Sequence, residues 1–124
     1  MDKSTPTLIF TEQETESEIN LEYVTIDFTI PIVPQILHEL HKRNIRSLMV
    51  EGGTHLLNGF IQSGFWDEAN VFVSDKKINT GVYAPLLIET PILTEDVNGD
   101  RLLRFKNQYA ATLNSMPSNV LTNK

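Results

Sequence analysis

The apolar residues of this chain follow two rhythms, and the change from one to the other marks its elements. Near the start, Leu8, Ile9 and Phe10 form a short apolar run between Pro6 and a polar stretch, which predicts a strand over residues 7–11. Residues 12–22 are acidic and polar and read as a solvated loop. Residues 23–28 combine β-branched and aromatic side chains, the composition of a second strand. After Pro31 the period becomes helical. Pro34 suits a first turn, where its missing N–H costs nothing. Val33, Ile36, Leu37 and Leu40 fall on one stripe. His41, Lys42 and Arg43 place positive charge at the end where the helix dipole favours it. Glu39 is spaced to pair with Arg43, and Asn44 suits a left-handed cap.

Residues 45–50 predict the next strand. Leu48, Met49 and Val50 run without alternation, as in a strand covered on both faces. Glu51-Gly52-Gly53 ends it. Thr54 is placed as the N-cap of a second helix, with Leu56, Leu57, Phe60 and Ile61 as its buried stripe and Gly64 as its stop. A further strand is predicted over residues 69–74. This alternation of strands and helices predicts a right-handed α/β unit with parallel pairing. Residues 81–87 read as a loop. Asn98-Gly99 is a hairpin signal, joining a strand around Ile92 and Leu93 to one over residues 101–105. Residues 108–113 are expected to form a last strand. Residues 115–124, polar and interrupted by Pro117, are expected to form a flexible tail after a single unit over residues 1–114.

Composition narrows the function classes. With 40% hydrophobic residues among 124, the chain affords one domain with a core. A net charge of -6 argues against nucleic acid and against an anionic membrane surface. The chain has no cysteine, so disulfides, thiolate metal sites and a cysteine nucleophile are excluded. The apolar run at residues 8–10 is too short for a signal-peptide core, and a cytoplasmic location is expected.

The segment that carries chemistry is Val50-Glu51-Gly52-Gly53-Thr54-His55-Leu56-Leu57-Asn58-Gly59-Phe60. A strand ends in a carboxylate, two glycines turn the chain, and a helix begins. The unsatisfied N–H groups of a helix start favour a phosphate, and glycine lets backbone approach a ligand closely. A carboxylate at the carboxyl end of a strand can accept hydrogen bonds from a ribose diol or a base N–H. Spacing alone leaves open a plainer reading, in which Gly-Gly is only a tight turn and Glu51 only faces water. The segment is neither a P-loop nor a GxGxxG fingerprint.

Residues 45–87 resemble the reductase domain of the bifunctional riboflavin-biosynthesis deaminase–reductase family. The likeness rests on the apolar strand Ser47-Leu48-Met49-Val50, on Glu51-Gly52-Gly53, on Gly59 within the helix, and on Gly64-Phe65-Trp66-Asp67-Glu68 before the next strand. Gly81 and then Ala84-Pro85 follow as in the family, and residues 6–11 are similar to a strand in the middle of its domain. The resemblance implies a dihydrofolate-reductase-like α/β fold, a mainly parallel sheet flanked by helices with a C-terminal antiparallel hairpin. It implies NADPH-dependent reduction of 5-amino-6-(5-phosphoribosylamino)uracil to its ribityl product, and a homodimer. Carried over residue by residue, Glu51 binds substrate. Gly53, Thr54, His55, Leu56, Leu57, Asn58 and Gly59 line NADPH. No residue is assigned as a catalytic acid or base, because hydride transfer in the family depends on positioning.

The family's zinc deaminase domain is not matched, since no His-x-Glu with a Cys-x-x-Cys partner occurs. The N-terminal half of the reductase domain is not matched either, so the chain reads as truncated. The alternative is therefore a non-catalytic folding or dimerisation fragment, with the strand over residues 23–28 or the last strand pairing with a second copy. A simple nucleotide-binding module is a third, weaker reading. Other candidates favour plain roles. His38 and His41 read as a solvated helix face and not a metal site. Asp67 and Glu68, adjacent in sequence, point apart. Lys76 and Lys77 read as solvated, and Phe65 and Trp66 as core or interface. Asp96, Asn98 and Asp100 read as a turn and not a calcium loop.

Overall fold

The computed structural model describes residues 4–108 and 118–123. Strands β1 (Thr7–Thr11) and β2 (Leu21–Thr25) pair in parallel as a two-stranded sheet. Helix α1 (Ile32–Lys42) leads to β3 (Ser47–Glu51), and α2 (Thr54–Ser63) leads to β4 (Glu68–Val73). Strands β5 (Leu93–Val97), β6 (Asp100–Lys106) and β7 (Ser118–Asn123) complete a five-stranded mixed sheet, ordered β3-β7-β4-β6-β5.

The chain is α/β as expected, with three departures. First, β7 lies inside the sheet, parallel to both β3 and β4. Within the tail expected over residues 115–124, Ser118–Asn123 form a strand, and the other residues of that stretch lie outside the described residues. The long-range ladders of β3 and β4 order it despite its polar composition. The strand expected over residues 108–113 lies beyond Gln108, outside the described residues. Second, β2 pairs with β1 and not with β3, and β7 separates β3 from β4, so the consecutive strands are not direct neighbours. Third, among the described residues both helices cover the same face of the main sheet. Burial alternates along β3, with Val50 in the core and Met49 65% exposed on the other side. Phe72 is likewise exposed while Ala69 is buried.

The core explains the covered face. Val33 and Leu37 of α1 meet Leu57 and Phe60 of α2 over Val50, Ala69 and Phe105, with Trp66 closing the turn into β4. Both helices therefore lie on the Val50 side. Pro34 occupies the first turn of α1, and Asn44 takes the left-handed conformation (φ 58°) that stops it. Gly64 (φ 74°) ends α2. The hairpin turn forms at Asn98 (φ 54°) and Gly99 (φ 88°), both left-handed as a two-residue hairpin of this hand requires. There Asp96 Oδ1 accepts from Gly99 N at 3.1 Å, a turn contact.

Side-chain ties fix α1 to its surroundings. Arg43 donates to Glu39 at 2.7 Å and to Glu22 of β2. Gln35 holds the loop before the helix: its amide donates to the carbonyls of Asp27 (2.8 Å) and Pro31 (3.0 Å) and accepts from Asp27 N (2.8 Å). Asn107, buried, donates to the carbonyls of Gly64 (2.9 Å) and Trp66 (2.7 Å). His38 and His41 are both exposed on α1.

Candidate functional site

Strand β3 delivers Glu51 at its carboxyl end, on the same exposed side as Met49, because side chains alternate along a strand. The chain then turns at Gly52, whose φ of 155° is one that L side chains rarely adopt. A β-carbon there would also come within 3.4 Å of Leu56 Cδ2. Gly53 follows in extended conformation and is the N-cap of α2, with its carbonyl accepting from Leu57 N at 3.2 Å. The sequence places this cap at Thr54. Thr54 is instead the first helical residue, and its hydroxyl donates to the carbonyl of Tyr83 at 2.7 Å.

Among the described residues no side chain caps α2, and no acidic residue stands in its first turn. The first-turn N–H groups have no partner within a helix, and the helix dipole places positive potential there. A β-carbon at Gly53 would meet nothing within 4 Å among the described residues. Beside it runs a cleft of about 630 Å³ between α2 and the start of α1. Its apolar wall includes Phe28, Ile30 and Pro31, and its polar side includes His55, Asn58 and Gln62.

The structure thus divides the residues assigned from sequence. Glu51, Gly53, Thr54, His55 and Leu56 gather at one end of β3. Asn58 turns toward the cleft. Leu57 does not belong with them. It is 2% exposed in the core, and its N–H is taken by Gly53. Gly59 also lines the cleft, and its smallness lets the helices approach, since a β-carbon there would stand 3.2 Å from Val33 Cγ2. Tyr83, 93% exposed and tied through its backbone to Thr54, was not singled out from sequence. Its signal is an aromatic residue inside a loop between Gly81 and Pro85. Phe28, placed by the sequence at the end of a strand, instead walls the cleft together with Ile30.

Comparison with known proteins bears on this arrangement. The family model described as the RibD C-terminal domain matches residues 1–78. The chain belongs to the RibD C-terminal domain family. It is 32% identical over 80 residues to the riboflavin biosynthesis protein RibD of Aquifex aeolicus (strain VF5), an alignment that covers 62% of this chain. The chain spans 22% of the length of that relative. The family match includes β1, β2, α1, β3, α2 and β4, and with them the whole Glu51–Leu56 corner. The hairpin β5–β6 and strand β7 lie beyond it. Among the described residues no helix is long and apolar enough to cross a membrane, and no cluster of His, Asp or Glu forms a metal site.

Proposed function

We propose that this chain carries part of the site of an NADPH-dependent pyrimidine reductase of riboflavin biosynthesis, within a dihydrofolate-reductase-like arrangement. The observation that carries this reading is the uncapped start of α2 beside Glu51 at the carboxyl end of β3, in a chain of the RibD C-terminal domain family. The backbone N–H groups of Gly53, Thr54, His55 and Leu56 would hold the NADPH phosphates, with the helix dipole in support. Asn58 and the imidazole of His55 extend polar contacts along the cleft. Glu51 would accept hydrogen bonds from the ribose or the pyrimidine of a phosphoribosylamino-pyrimidine substrate. NADPH, when bound, supplies hydride to C1′ of the ribose, which opens to the ribityl chain. The chain's own contribution is orientation, since a fixed near-attack geometry can supply much of the rate.

A second reading is a non-catalytic folding or dimerisation unit, favoured by the two-stranded β1–β2 sheet, in which β2 has one strand partner among the described residues. Titration with NADPH, followed by nicotinamide fluorescence, separates the two. The reductase reading expects saturable binding that is lost in Gly53→Asp, which sets a carboxylate against the phosphates. A folded chain that does not bind supports the scaffold reading instead.

A further inference from the structure

The sequence holds two Asn-Gly pairs, Asn58-Gly59 and Asn98-Gly99, and the fold places them in opposite surroundings. Asparagine before glycine is open to cyclisation, because glycine has no side chain to shield its backbone nitrogen. Ring closure needs a backbone torsion at the asparagine that neither an α-helix nor a left-handed turn supplies, so either pair must first open locally. Asn58-Gly59 lies inside α2 between Leu57 and Phe60, which are 2% and 1% exposed, so opening it disrupts the core. Asn98-Gly99 is the exposed tip of the β5–β6 hairpin, and β5 stands at the edge of the sheet among the described residues. Opening that tip breaks little packing, because β5 is mostly exposed along its length. One tie restrains it. Asp96 Oδ1 accepts from Gly99 N at 3.1 Å. The bond fixes the nitrogen that must attack, and the carboxylate charge opposes loss of the N–H proton.

We propose that Asn98 is a modification site, at which the chain forms a succinimide and then aspartate or isoaspartate, with Asp96 as the brake. Gly99 N bonds to Asn98 Cγ, the Cγ–Nδ2 bond breaks, and Nδ2 leaves as ammonia with the proton from Gly99 N. Water then adds across one C–N bond of the imide. Opening at Cγ gives aspartate. Opening at the backbone carbonyl gives isoaspartate, which routes the chain through Cβ and Cγ. Either product sets a new carboxylate between Asp96 and Asp100, and isoaspartate lengthens a turn built on two left-handed residues. Asn58, which lines the cleft, keeps its amide because the helix holds it.

The full chain would be aged at mildly alkaline pH, folded and in parallel unfolded in urea. Peptide mapping by mass spectrometry would follow replacement of amide by carboxyl at each asparagine, with isoaspartate read by enzymatic methylation. In urea the two pairs are expected to convert at similar rates. In the folded chain Asn98 is expected to convert at least several-fold faster than Asn58, and Asp96→Ala to speed Asn98 several-fold further. Equal conversion of Asn58 and Asn98 in the folded chain overturns the assignment of the site. So does an intact Asn98 in the folded chain over a period in which the unfolded chain converts. An Asp96→Ala rate at or below that of the wild type overturns the brake.

Discussion

Gly59 of α2 lies directly against Val33 of α1: a β-carbon at Gly59 would stand 3.2 Å from Val33 Cγ2. The two helices meet closely because this position has no side chain, and their contact forms one wall of the cleft. An alanine here is finely balanced, since it gains about 1 kcal/mol of helix propensity while pressing on Val33. A leucine cannot be accommodated without moving α1. Gly59→Leu is expected to destabilise by about 1–3 kcal/mol in urea unfolding, with Gly59→Ala changing little.

Asn107 bridges the turn that carries the chain from α2 into β4. Its buried amide satisfies two carbonyls, Gly64 and Trp66. Asn107→Ala leaves both without this donor and is expected to cost about 1–3 kcal/mol. The same unfolding measurement checks it, and Asn107→Leu should not restore the loss.

The Arg43 cluster predicts a pH dependence. The hydrogen bond from Arg43 holds the Glu22 carboxyl below its ordinary value, and Lys42 followed by Arg43 does the same for Glu39. A carboxylate whose pKa is lower in the folded state stabilises the fold above its unfolded pKa. That contribution is lost as pH falls through the folded value. The melting temperature of the wild type should therefore exceed that of Arg43→Met at neutral pH. The difference should shrink as the pH falls below 4.5, the ordinary value of these carboxyls, and also in high salt, because the pairs lie at the protein surface.

Gln35 shapes the cleft from a distance. Its three hydrogen bonds fix residues 27–31, from which Phe28 and Ile30 wall the cleft. Gln35→Ala is expected to cost about 1 kcal/mol and to increase amide hydrogen exchange at residues 27–30 while leaving that of β4 unchanged.

Local signals in the sequence carried much of this fold. The stripe Val33, Leu37 and Leu40 gave α1, Asn44 and Gly64 gave the two helix stops, and Asn98-Gly99 gave the hairpin, because each depends on the conformation of a few adjacent residues. The place of β7 was not legible. A parallel strand inserted between two earlier strands is decided by long-range ladders, and Ser118, Asn119 and Asn123 look like tail. That both helices lie on one face was also hidden, since Leu48-Met49-Val50 has the same composition whether one face is packed or two. In the site, the Glu51-Gly52-Gly53 corner was visible as a motif. The inward turn of Leu57 follows from the helical stripe that the sequence already showed. Tyr83 was not visible, because its tie to Thr54 runs through a backbone carbonyl that carries no side-chain signature.

The most direct test of the central claim is to follow backbone amide resonances of the isotope-labelled chain during titration with NADP⁺. The account predicts saturable shifts at Gly53, Thr54, His55 and Leu56, with smaller ones at Asn58 and little change at Asn44 beyond the far end of α1. Shifts confined to other surfaces, or none in a folded chain at millimolar ligand, would contradict a phosphate site at the start of α2.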